Sequence, residues 1–172
     1  MSIDNDRFRF GPLRSRSTSK PRISRPEPSF FRCKACGNVM AVMQSGGGRP
    51  SCCGSEMLLL EAGDVQPDDG FSYLIFGGLN ENAVKAIWPV GTPPDWIYLR
   101  TFTGGQLKFV GKDKRAPVIF ALADEDAYAY CDKDPCAECT FRCKRGFELF
   151  FYFPEKGLLR IPLDRMSSHP KS

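Results

Sequence analysis

The sequence predicts an all-β protein of one or two small domains, and two observations carry that expectation. The 172 residues include 16 glycines and 14 prolines, so turns are frequent. The apolar runs are short and bounded by those turn residues, which suits strands better than long helices. The 8 cysteines fall into two tight groups rather than being scattered, one near residues 33–53 and one at 131–143. Hydrophobic residues make up 42% of the chain, enough for a core, yet no run approaches the ~20 residues that a membrane span needs.

The net charge of +4 is uneven. Residues 1–28 carry seven Lys/Arg against three Asp/Glu, and the remainder carries seventeen of each. This segment is rich in Arg, Ser and Pro and poor in aliphatic side chains, so it is expected to be a disordered basic tail. Arg14, Arg16, Lys20, Arg22 and Arg25 could contact nucleic acid or an acidic partner, but a solvated extension is the preferred reading. The charged start lacks the apolar stretch of a signal peptide, so a cytoplasmic location is expected. In a reducing compartment, metal ligation is a better use of many cysteines than disulfides.

The first cysteine group lies in FFRCKACGNVMAVMQSGGGRPSCCGSEMLLL, from Phe30 to Leu60. Cys33 and Cys36 form a C-x-x-C turn, which can aim two sulfurs at one ion. Gly37 leaves the following backbone free to approach them. Cys52 and Cys53 are adjacent, and both can face one ion only if the chain bends sharply, which Gly54 favours. Four thiolates form a soft tetrahedral site for zinc or iron. A structural zinc site and a pair of disulfides remain the alternatives at this point. Val39–Met43 and Met57–Leu60 read as strands, and Gly46–Gly48 as the turn between the ligand pairs. That glycine run lacks the Lys-Ser/Thr and helix of a phosphate loop.

The second knuckle, C-C-G, separates this stretch from an ordinary zinc ribbon. The pattern C-x-x-C-G-N-V, then a glycine run, then C-C-G-x-x-M ending at Met57, resembles the desulforedoxin-type domain that opens the desulfoferrodoxins. The resemblance implies one rubredoxin-type iron on Cys33, Cys36, Cys52 and Cys53 in domain 29–65, cycling between ferrous and ferric. It also implies a redox partner protein and, from resemblance only, a homodimer.

The polar stretch Ala62–Gly70 is expected to mark a domain boundary. Beyond it, strands are predicted over Phe71–Phe76, Ala83–Trp88, Trp96–Thr101, Gln106–Val110, Val118–Ala123, Ala127–Cys131, Phe147–Phe153 and Leu158–Leu163. The last two flank Pro154-Glu155-Lys156-Gly157 and read as a hairpin. Short strands at this spacing suggest a β-sandwich over 66–165, with 166–172 as a tail. Trp96-Ile97-Tyr98-Leu99, Ala116–Phe120 and Ala127–Cys131 resemble strands of the superoxide reductase domain that follows in the desulfoferrodoxins, an immunoglobulin-like sandwich. In that family a second iron is bound by four histidines and a cysteine.

This chain departs from that pattern. Its single histidine is His169, near the C-terminus. The family's histidine positions fall at Phe71, at Trp88-Pro89, within Gly91–Asp95 and at Asp134, and only Cys131 survives. The expectation is therefore a sandwich without the superoxide reductase centre, in which Phe71 and Trp88 serve as core. The alternative is a superoxide or peroxide reductase with a rebuilt iron site, for instance Cys131 with Asp132 or Asp134. A cysteine nucleophile with a histidine base finds no base in the folded part.

Cys131, Cys136, Cys139 and Cys143 form the second group, C-x4-C-x2-C-x3-C. It suggests a second metal, either a structural zinc or an iron-sulfur cluster, although the spacing matches neither common cluster run. Free thiols or a redox disulfide such as Cys136 to Cys139 are the plain alternatives. Lys144 and Arg145 beside it read as a docking face for an acidic redox partner or as solvated charges. Three function classes result: an iron electron-transfer protein, a reductase with a rebuilt site, and a zinc-stabilised binding module that uses the basic tail.

Overall fold

The structure, a computed structural model, describes residues 28–76, 82–127 and 144–163. The basic tail, the second cysteine group, Asp132, Asp134 and His169 lie outside the described residues.

In the N-terminal domain, β1 (Ser29–Arg32) runs antiparallel to β2 (Val39–Val42). A two-stranded ribbon follows, β3 (Ser51–Cys52) with β4 (Ser55–Glu56). Then β5 (Leu58–Leu59) returns to the other side of β1, giving the order β2-β1-β5. The strand expected over Val39–Met43 forms. Only Leu58 and Leu59 of the Met57–Leu60 run pair as strand, because Met57 turns inward, 2% exposed.

The remaining strands are β6 (Ala62–Asp64), β7 (Ser72–Phe76), β8 (Ala83–Ile87), β9 (Trp96–Arg100), β10 (Gly105–Phe109), β11 (Val118–Ala121), β12 (Glu148–Phe153) and β13 (Gly157–Pro162). They form a five-stranded sheet, β10-β9-β12-β13-β6, facing a three-stranded sheet, β11-β8-β7. The expected all-β sandwich is present, with one 3₁₀ turn at Asp124–Ala127 among the described residues. Ala127 therefore ends a turn instead of opening the strand expected there, and residues 128–131 fall outside the described residues.

Alternation sets the core. On β7 and β8 the side chains of Tyr73, Ile75, Val84 and Ala86 face inward between more exposed neighbours. They meet Ile97, Leu99, Leu149, Phe151 and Phe153 from the larger sheet, with Phe120 and Phe147 filling the middle. Phe71 and Trp88 are part of this packing. Trp88 is buried, and the Phe71 ring lies edge-on to Phe151 and Phe153, at centroid distances of 5.2 and 5.9 Å.

The C-terminal hairpin lies within the larger sheet. β12 pairs with β9 on one side and β13 on the other. The polar stretch after residue 61 also does more than connect, since Ala62–Asp64 pairs in parallel with β13 as an edge strand. Charges fasten that edge across the sheet. Arg160 reaches Asp64 at 2.6 Å and Glu148 at 3.7 Å, and Arg100 reaches Glu148 at 2.7 Å.

β9 breaks the alternation, with Trp96, Ile97, Tyr98 and Leu99 all buried. Ile97 and Leu99 face the sandwich core, while Trp96 and Tyr98 lie on the outer face beneath Phe30 of the N-terminal domain. A strand covered on both sides loses the period of two that marks a half-exposed one.

Candidate metal centre

Two tight turns present the four cysteines. In the first, Cys33 N donates to Asn38 O at 2.8 Å and Gly37 N to Cys33 O at 3.0 Å. Gly37 has φ +77°, which closes this knuckle without a Cβ penalty. The second is the tip of the β3–β4 ribbon. Its two central residues, Cys53 and Gly54, have φ +53° and +77°, the sign pattern of a type I′ turn. Gly54 was expected to ease this bend. The structure adds that Cys53 itself takes a left-handed backbone, uncommon for a residue with a Cβ. That conformation lets two neighbouring side chains point the same way.

The outcome is one ligand set. The Sγ atoms of Cys33, Cys36, Cys52 and Cys53 all lie within 4.8 Å of one another. Cys36 Sγ is 3.5 Å from Cys52 Sγ, and Cys52 Sγ is 3.8 Å from Cys53 Sγ. A tetrahedron with metal–sulfur bonds of about 2.3 Å has edges of about 3.8 Å, so the cradle fits such an ion. All four cysteines are free thiols, which sets the disulfide alternative aside for this group.

The electrostatics favour a cation. The backbone N–H of Cys36 holds the Cys33 thiol down at about 7, against the opposing effect of burial. Cys53 is pushed up to about 12, chiefly by its side-chain hydrogen bond with Cys36, then by Cys52, Cys33 and the charge on Cys33. Cys52 is also raised, first by Cys36 and then by Cys33. One thiolate forms readily and its neighbours then resist ionisation. A bound metal ion removes that resistance, because it takes all four sulfurs as thiolates.

The site has two sides. Cys33 is buried and faces the protein, whereas Cys36 and Cys53 are exposed. Asn38 Nδ2 donates to Cys52 Sγ at 3.7 Å, a contact marked in the sequence only by the asparagine's place after C-x-x-C-G. Two further residues escaped sequence reasoning, Phe30 and Arg32, which attach the centre to the sandwich. Arg32 Nη1 donates to Pro154 O at 2.6 Å. A strand of period two beside a ligand would have flagged them only if the partner surface were known.

Lys144 requires a correction. It is neither a docking charge nor a solvated one, being 1% exposed. Its Nζ donates to Ala127 O at 2.8 Å and Asp126 O at 3.2 Å. The Asp126 carboxylate in turn accepts from Phe102 N, Thr103 N and Thr103 Oγ1.

Fold and site together define a compact four-thiolate metal domain docked on a β-sandwich. Residues 27–60 match the family described as desulfoferrodoxin, N-terminal domain. The chain is also similar in structure to the superoxide reductase from Treponema pallidum, with a TM-score of 0.54 over 78% of this chain and 98% of that one. The identity is 19%, so the likeness extends to the fold. No curated protein matches the chain in a sequence search. The four-cysteine cluster and the desulfoferrodoxin domain support an iron-binding redox function. No helix among the described residues is long and apolar enough to cross a membrane.

Proposed function

We propose that this protein is a one-electron carrier whose centre is a rubredoxin-type iron on Cys33, Cys36, Cys52 and Cys53. The observation that carries the reading is the ligand geometry, four sulfurs within 4.8 Å, in a domain that matches the desulfoferrodoxin N-terminal family. Iron held by four thiolates supplies a one-electron couple. The chain's own residues shape how it is reached. Exposed Cys36 and Cys53 form the edge where a redox partner protein approaches, and buried Cys33 keeps the opposite edge away from water.

The reading includes loss of the histidine-ligated superoxide reductase centre. Its support is the single histidine, His169, and the aromatic core that Phe71 and Trp88 help to build. Catalytic reduction of superoxide is accordingly not assigned. A second metal on Cys131, Cys136, Cys139 and Cys143, zinc or an iron-sulfur cluster, rests on the sequence pattern. Pairing with a second copy draws support from the apolar row of Met40, Phe31 and Leu59 across the small sheet, where Met40 and Leu59 are exposed.

The test is metal and acid-labile sulfide content with a visible spectrum, on full-length protein purified without oxygen. About one iron per chain in a red protein, lost in Cys36→Ser/Cys52→Ser, is the expected result. Zinc alone in a colourless protein would replace the redox reading with a structural module. Extra iron with sulfide, lost in Cys131→Ser/Cys136→Ser, would add a second centre.

A further inference from the structure

We propose that Phe30 and Arg32 are positioning residues for the metal centre, and that metal retention at the four cysteines is linked to docking of the N-terminal domain on the sandwich. This rests on the reading that the four cysteines hold a metal, whichever metal it is.

The N-terminal domain has almost no interior of its own. Among the described residues from 29 to 61, the buried ones are Phe30, Cys33 and Met57. Cys33 is a ligand. Phe30 is buried not by its own sheet but by the sandwich, with its ring centroid 4.9 Å from Trp96 and 5.4 Å from Tyr98. Trp96 stacks on Tyr152 at 4.8 Å, and Leu158 completes the cage.

Arg32, on the same face of β1 as Phe30 and next to Cys33, donates to Pro154 O in the turn between β12 and β13. The end of the domain is held as well. Leu60 N donates to Phe30 O at 2.7 Å, and two residues later Ala62 opens β6 against β13. The strand that delivers the buried ligand is thus fixed by sandwich residues at both its aromatic and its charged position.

Linkage follows. If the metal binds well only when β1 is in its docked place, loosening the dock lowers apparent affinity by the fraction of chains left docked. By reciprocity, removing the metal loosens the dock. Cys33 is where the two meet, one residue from the Arg32 hydrogen bond and three from Phe30.

The experiment uses the full chain carrying Cys131→Ser/Cys136→Ser as the parent, so that the zinc read out is that of the first cysteine group; it is loaded with one equivalent of zinc, with release followed by a colorimetric chelator. Phe30→Ala is expected to release metal at least ten-fold faster than the parent, Phe30→Leu to stay within about three-fold, and Arg32→Gln to fall between. Val84→Ala, in the core far from the cage, lowers global stability and serves as control; its release rate is expected to match the parent at a temperature where both are folded.

Because the chain has two tryptophans, Trp88→Phe leaves Trp96 as sole reporter, and stripping the metal should shift its emission to the red. Parent-like release from Phe30→Ala and Arg32→Gln, with Trp96 emission unmoved by stripping, overturns the proposal. So does equal acceleration by Val84→Ala. A parent protein that takes up no metal overturns the underlying metal reading instead, and the loading step alone reveals it.

Discussion

The ammonium of Lys144 donates to the carbonyl of Ala127 at 2.8 Å, which ties together the two described residues that border the segment 128–143. The hydrogen bond brings Ala127 and Lys144 together at one corner of the sandwich. The Asp126 carboxylate anchors the same corner to the loop at Phe102 and Thr103. Phe147, edge-on to Phe102 at 4.8 Å, lies beneath it.

Lys144→Met should therefore destabilise the sandwich. It strips donors from two buried carbonyls, a loss of roughly 1–3 kcal/mol per unsatisfied group, offset in part by no longer burying a charge. A net loss of about 1–3 kcal/mol in urea unfolding is the expected outcome. A variant as stable as the parent would mean that the carbonyls find other partners.

Truncation in the core gives a larger effect. Phe120 and Phe151 are fully buried on opposite sheets. Phe120→Ala and Phe151→Ala should each cost about 3–5 kcal/mol by denaturant titration. Ile119→Ala, on the more exposed side of the same strand as Phe120, should stay within about 1 kcal/mol, which checks the assigned facing of β11.

Gly105 tests the outer face of the larger sheet. A Cβ at this position would lie inside the Tyr98 phenol, so Gly105→Ala must push that ring aside. The Tyr98 ring packs against Phe30, so displacement reaches the domain contact. A loss of about 1–3 kcal/mol is expected, as for other overpacked sites, with altered near-ultraviolet dichroism from the aromatic cage.

Metal uptake should depend steeply on pH. Cys52 and Cys53 have raised thiol pKa values, so near neutrality both carry protons in the metal-free site. Binding expels those protons, so affinity rises with pH and falls on acidification. These two protons alone give about two decades in apparent affinity per pH unit, and any proton displaced from the other two thiols steepens the slope. Competition with a chelator of known affinity between pH 6 and 8 measures the slope. A slope below one decade would contradict the proton inventory.

Single ligand replacements should separate the two sides of the centre. Cys33→Ser places a weaker, harder ligand at the buried position and should abolish stable metal binding. Cys53→Ser, at the exposed edge, should retain metal with about ten-fold or more faster loss to chelator. Equal behaviour of the two variants would show that burial of Cys33 contributes nothing to retention.

Local chemistry made much of this legible in the sequence. The C-x-x-C-G and C-C-G patterns marked the four sulfurs that the structure gathers, because a knuckle turn is specified within five or six residues. The strands from Phe71 to Leu163 were readable to within a residue or two wherever one face is wet, because alternation is then written along the chain. The hairpin around Pro154–Gly157 was visible for the same local reason. The single histidine is a sequence fact as well.

Tertiary structure decided what depends on distant partners. That Trp96 and Tyr98 face the N-terminal domain, while Ile97 and Leu99 face the core, cannot be read from four successive apolar residues. Nor can the insertion of β12 between β9 and β13, or the pairing of Ala62–Asp64 with β13, since a polar Gly-Asp stretch carries no mark of its partner. Lys144 shows the physical reason most plainly. A lysine reads as solvated because burying an ammonium is costly, and only carbonyls brought together from residues 126 and 127 make its burial tolerable.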